Sequence, residues 1–240
     1  MSYLAVVPRG TTMSRLASFA EEQWGLVTRR QAEIAAVPPA TLTRLIGEGT
    51  LDRVAHGVYR LVGAPPADHL DLRAAWLQLA PEVAAWDRTP AQGVVSHRSA
   101  AMLYGIGHLP ADTHEFTLPT RRQSRRRDVR LHIGEVDDLW INLRGLPVTQ
   151  PSRIAADLLR EREDPEAVAY IVADAIRAVY DYPGTFAETL APAASQLGLR
   201  RGDGMSVLRW LLDLVGDPLA AEWLTEAAAS LARGAGATKP

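Results

Sequence analysis

The sequence contains no cysteine. Disulfides and cysteine-ligated zinc are thereby excluded, and a reducing compartment is compatible with the chain. Lysine is nearly absent too: of the 26 lysines and arginines, all but Lys239 are arginine. A mechanism that needs a lysine, such as a phosphate loop ending in Gly-Lys, has one candidate, close to the end of the sequence. The codon bias of a GC-rich genome explains the preference for arginine more simply than function does. No run is long and apolar enough to span a bilayer. The stretch from Met1 to Arg9 lacks the basic start and long apolar core of a signal peptide, so a cytoplasmic protein with no membrane partner is expected.

What is present suits a folded chain. At 240 residues it is long enough for one large or two ordinary domains, and 47% hydrophobic with 22% charged residues is typical of soluble globular proteins. The formal net charge is −2, so affinity for an anionic polymer must come from local patches rather than from the global field.

The most informative stretch runs from Thr28 to Val62. Thr28 with Gln31 fits a capping box and predicts a helix start, with Ile34 and Val37 facing inward. Pro38-Pro39 opens a second helix, on which Leu42, Leu45 and Ile46 form one apolar face and leave Thr41, Thr43 and Arg44 outward. Gly47 and Gly49 end it. Residues 51–61 then alternate around His56-Gly57, the pattern of a β-hairpin with glycine at the turn. Helix, turn, helix and hairpin predict a winged helix-turn-helix, with Met13 to Trp24 as its first helix. A scaffold of the same elements that only binds protein is the competing reading.

The fold class expected is α+β: a winged helix-turn-helix over 1–62, a Pro-rich linker over 63–67, and a mixed α/β domain over 68–240 that ends in helices. A helix is expected from Asp68 to Leu79, with Leu72, Ala75, Trp76 and Leu79 on one face. A short strand feeds a helix capped at Ser96, and strands follow at 115–118 and 129–133, joined by a basic loop that reads as a hairpin tip. Strands at 139–143 and 146–149 turn at Arg144-Gly145, and a helix starts at Pro151. Further helices are expected near 165–180, 184–197, 204–215 and 218–232, between a loose arm over 1–11 and a disordered tail from Gly234.

The segments LDRVAHGVYRL (51–61), VSHRSAAMLYGIGHLP (95–110), FTLPTRRQSRR (116–126), VRLHIG (129–134) and GLPVTQPSRIAADLL (145–159) follow one another in this order. Together with the winged start they resemble the AbiEi family of type IV toxin–antitoxin antitoxins, over residues 12 to 160. The resemblance implies a non-enzymatic repressor of its own antitoxin–toxin operon, with a nucleotidyltransferase toxin as a possible partner and no cofactor. It also implies a C-terminal domain associated with antitoxicity. A direct toxin-neutralising module without operator binding is the alternative.

Thr41, Thr43 and Arg44 are the expected base-reading residues, since arginine binds guanine bidentately and threonine meets thymine methyls or base edges. Arg29, Arg30, Arg53, His56 and Arg60 are expected on phosphates, where they position the protein without reading sequence. Double-stranded DNA is the expected partner, bound by two copies on repeated half-sites. Arg121, Arg122, Arg125, Arg126, Arg127 and Arg130 form a second cluster suited to an anionic partner. Ser96-His97 invites a catalytic reading, but no Gly-x-Ser-x-Gly turn surrounds it and a serine there suits a helix cap. The six histidines lack the local spacing of zinc ligands. Asp137, Asp138 and Asp157 read as a turn and a helix face rather than as metal carboxylates.

Overall fold

The computed structural model describes residues 11–135 and 138–237, the last four of these by backbone alone. The arm expected over 1–11 lies, apart from Thr11, outside these residues, as do Asp137 and the last three residues of the tail. The chain is mixed α and β and divides after Gly93 into two units.

The first unit begins with α1 (Thr12–Ala20), whose N-terminus is capped by the Thr11 hydroxyl accepting from Ser14 N–H. The helix stops earlier than Trp24, because Trp24 and Gly25 both take positive φ and turn the chain. A three-residue strand, β1 (Leu26–Thr28), follows and was not foreseen. Then come α2 (Arg29–Ile34), α3 (Pro39–Gly47), β2 (Leu51–Ala55) and β3 (Val58–Leu61). The strands form one antiparallel sheet in the order β1-β3-β2, with Val27 opposite Tyr59 and Arg53 opposite Tyr59 on the other side. Gly57, at φ +70°, makes the two-residue turn with His56 that a side chain would strain.

Leu16, Val27, Ala32, Val37, Leu42, Leu45 and Leu51 close the core between helices and sheet, with Tyr59 packed against it at the base of the hairpin. Burying each large side chain contributes about 1.5–3 kcal/mol. Ile34 does not join them. It is 51% exposed, because α2 is only six residues long and turns its Gln31–Ala32 face inward instead.

The division after Gly93 falls later than the linker that Gly63-Ala-Pro-Pro-Ala67 suggests. Polar contacts explain this. The capping box of Thr28 and Gln31 is present, and its residues are buried. Thr28 Oγ1 also donates to the Pro81 carbonyl, and Gln31 Nε2 donates to the Val83 carbonyl at 3.2 Å. Gln23 pairs its amide with that of Gln31 in both directions at 2.9 Å and accepts from Ala85 N–H. The helix α4 (Leu70–Leu79) therefore belongs to the first unit, and its buried Trp76 stands edge-on to Trp24. Arg88 donates to the carbonyls of Trp76, Leu77 and Ala80, satisfying orphan acceptors at the end of α4.

The second unit holds β4 (Val94–Val95), α5 (His97–Tyr104), β5 (His114–Leu118), β6 (Val129–Ile133), β7 (Trp140–Leu143) and β8 (Leu146–Thr149). The sheet order is β6-β5-β4-β8-β7. β7 and β8 form the expected hairpin, turning at Arg144 and Gly145 with positive φ. The arginine loop is not a hairpin tip. β5 and β6 run parallel, Phe116 opposite Leu131, so residues 119–128 are a crossover that returns the chain to the same end of the sheet.

The remainder is helical: α6 (Pro151–Arg160), α7 (Pro165–Arg177), α8 (Pro183–Leu190), α9 (Gly204–Val215) and α10 (Ala220–Ala237). The helix expected over 184–197 loosens at Ala191 into 3-10 turns. α10 carries its backbone through 237, beyond the end expected at 232. α8 and α9 cross so closely that a Cβ on Gly204 would stand 1.7 Å from the Ala187 carbonyl oxygen. Among the described residues no helix is long and apolar enough to cross a membrane.

Candidate functional site

Two sets of polar side chains stand out, one in each unit. The first lies on α2, α3 and the hairpin. Thr43 and Arg44 are exposed on α3 and Thr41 is half-buried. Thr43 Oγ1 bonds back to the Pro39 carbonyl, and Arg44 Nη1 meets both oxygens of Glu48 at 2.5 and 2.7 Å. Arg29 and Arg30 both meet Glu33, at 3.0 and 2.8 Å. Hydrogen bonds from Arg30 and then Arg29 hold the Glu33 carboxyl below its usual range. On the hairpin, Arg53 meets His56 Nδ1 at 3.1 Å. Arg60 turns away from the hairpin tip and donates to the carbonyls of Ala64 and Pro65 at 2.6 and 2.9 Å. The tip itself is fixed: Arg29 N–H donates to the Gly57 carbonyl and Gln78 Nε2 to the His56 carbonyl.

The second set surrounds a cavity of about 460 Å³ between β6, α6 and the arginine crossover. One face of α6 supplies Arg153, Asp157, Arg160 and the following Glu161, at helical spacing. Asp157 is buried and is gripped by Arg153 at 2.9 Å and Arg160 at 2.8 Å. Glu161 meets Arg130 at 2.9 Å and His132 Nδ1 at 2.8 Å. The other nitrogen of His132 faces the buried carboxylate of Glu115 at 2.6 Å. His97 lies flat on His132, with ring centroids 3.6 Å apart and 13° between planes. Burial, and then the electrostatic influence of His132, Arg130, Arg160 and Arg153, lower the His97 pKa to about 2. Ser96 precedes α5 but does not cap it. Its hydroxyl accepts from Thr117 Oγ1 and meets His97 Nδ1, each at 2.9 Å.

The crossover arginines divide. Arg121 and Arg122 line the cavity with Arg130, whereas Arg125 and Arg127 are exposed outside it and Arg126 is paired with Asp128. That ion pair holds the Asp128 carboxyl down at about 2.

His97, Glu115 and His132 each bring a potential metal-ligand atom within 4.8 Å of the others. An imidazole binds a metal in its own ring plane, so two parallel stacked rings cannot both aim at one ion between them. Both nitrogens of His132 are also engaged by carboxylates. As arranged, the group is a hydrogen-bonded chain from Glu115 through His132 to Glu161. Histidine spacing could not reveal it, because 34 residues separate His97 from His132 and only the strand pairing joins them.

One unit thus presents an exposed, arginine-bearing helix face, and the other holds a cavity lined by arginines. Residues 14–62 match the model of a family described as "Transcriptional regulator, AbiEi antitoxin". The match spans most of α1 through β3 and supports a role of the regulator and antitoxin kind. The resemblance drawn over residues 12 to 160 is borne out over this part. No match was found among curated proteins.

Proposed function

We propose that residues 12–62 form a winged helix-turn-helix and that the protein is a DNA-binding repressor of antitoxin type. It acts by binding rather than by catalysis, on its own promoter, and counteracts a nucleotidyltransferase toxin. The observation that carries this reading is the open face of α3. It follows a tight two-helix turn, it is backed by the β1-β3-β2 sheet, and it leaves Thr43 and Arg44 exposed. In this reading α3 enters the major groove and the hairpin lies along the backbone.

Arg44 exchanges Glu48 for a guanine edge, and Thr43 and Thr41 meet neighbouring bases. Arg29, Arg30, Arg53 and His56 exchange their present partners for phosphates. These partners are exposed and screened by solvent, so the exchange costs little. Arg60 supports the base of the wing rather than the DNA. One such helix reads few base pairs, so two copies engage paired half-sites.

Fluorescence anisotropy on the upstream DNA tests this, with a scrambled duplex and a Thr43→Ala/Arg44→Ala variant run at two salt concentrations. Sequence-preferring binding that weakens about ten- to hundredfold in the variant is expected. Equally weak binding to both duplexes that vanishes with salt is generic phosphate attraction. It would overturn the repressor reading in favour of a protein-docking scaffold.

A further inference from the structure

We propose that the cavity of the second unit binds a terminal phosphate group, carried either by a small molecule or by the end of a nucleic-acid strand. Five guanidinium groups converge on this space from three elements: Arg121 and Arg122 from the crossover, Arg130 from β6, and Arg153 and Arg160 from α6. Among the described residues two carboxylates, Asp157 and Glu161, line it with them, and both are engaged by these arginines. The carboxylates orient the arginines, which outnumber them in the described lining. Guanidinium forks match phosphate oxygens two at a time, which a point charge does not.

The floor of the cavity senses the same field. His97 is buried and neutral: burial is the main cause, followed by His132 and then by Arg130, Arg160 and Arg153 of the same cavity. It also takes φ +51° at the first position of α5, an uncommon conformation that the packing must hold in place. The volume of about 460 Å³ exceeds what a bare phosphate fills and lies in the range of small-molecule sites.

Isothermal titration calorimetry of the full chain, at physiological ionic strength with a chelator present, tests the assignment. The probes are AMP and adenosine, and a single-stranded hexanucleotide with either a 5′-phosphate or a 5′-hydroxyl. At least one phosphorylated probe is expected to bind one per chain and about tenfold more tightly than its unphosphorylated partner. AMP alone identifies a small-molecule source, and the phosphorylated hexamer alone a strand end. Arg121→Ser/Arg122→Ser and Arg130→Gln should each weaken that binding about tenfold, with melting temperatures close to the parent's.

Arg125→Ser/Arg127→Ser, on the same crossover but outside the cavity, should leave it unchanged. The proposal is overturned by no binding of either phosphorylated probe at millimolar concentration. It is equally overturned if phosphorylated and unphosphorylated probes bind alike, or if the outer pair of arginines matters as much as the inner pair. Binding that appears only when the chelator is replaced by zinc would make this a metal site instead.

Discussion

Arg29 and Glu33 on α2, Arg44 on α3 with Glu48 at its C-cap, and Arg153 and Asp157 on α6 are the same kind of pair in sequence, an arginine followed four residues later by a carboxylate. In space they differ. The side chains of Glu33 and Glu48 are 29% and 48% exposed and that of Asp157 is 1% exposed. The first two pairs sit in water, where either partner can be traded for another ion. The third has been taken out of water and cannot be parted without leaving a buried charge uncompensated. Identical spacing therefore serves an exchangeable face in one unit and a fixed, pre-oriented lining in the other.

The sharpest way to break this contrast is to delete the carboxylates. Asp157→Ala is expected to cost about 3 kcal/mol in urea unfolding, because the largely buried Arg153 loses its carboxylate partner. Gln31→Leu asks whether burial, rather than charge, sets such magnitudes. It takes one partner from the Val83 carbonyl and two from the buried Gln23 amide, and removes one half of the capping box, for an expected loss of about 2 kcal/mol. A loss below half a kilocalorie in either would mean that the surroundings relax or admit water.

Acid should separate the two regions further. The His97 pKa falls from 6.5 to about 2 on folding, so the folded chain binds fewer protons than the unfolded one. This contribution is complete above the unfolded value and declines as pH falls below it, reaching about 2 kcal/mol lost at pH 5. Urea titrations at pH 7 and pH 5 measure it. His97→Asn, which tolerates a positive φ, should flatten the difference, and an unchanged slope in that variant would assign the loss elsewhere. The smallest effect belongs to the exposed pair. Glu48→Ala should change stability by less than about 0.5 kcal/mol while releasing Arg44, so DNA binding should tighten, and a loss of affinity would show that the pair is needed to aim the arginine.

Much of the first unit was legible because its signals are local. The Thr28–Gln31 capping box, the proline start of α3, its Leu42–Leu45 face and the His56-Gly57 turn all act within a few residues. β1 was not legible, since a fully buried three-residue strand has no alternation to see. Ile34 was misplaced because a helix of six residues does not establish a face by periodicity. The crossover was taken for a hairpin because the direction of strand pairing leaves no mark in the loop itself. The Pro-rich stretch at 63–67 was read as a boundary, yet Pro81 and Val83 return to the capping residues of α2 and Ala85 to their neighbour Gln23, and they carry α4 with them.

What the sequence determined by itself was most of the helices and strands, the turn residues between several of them, and the exposed character of Arg29, Arg30, Thr43 and Arg44. These follow from backbone chemistry and from periodicity over one or two turns, which neighbouring residues settle among themselves. Only the tertiary structure decided that Arg121 and Arg122 face a cavity while Arg125 and Arg127 do not, that Asp157 is buried, and that His97 meets His132. Those outcomes depend on strand direction and on which helix covers which strand. Long-range burial sets them, and burial is a property of the assembled fold rather than of any window of its sequence.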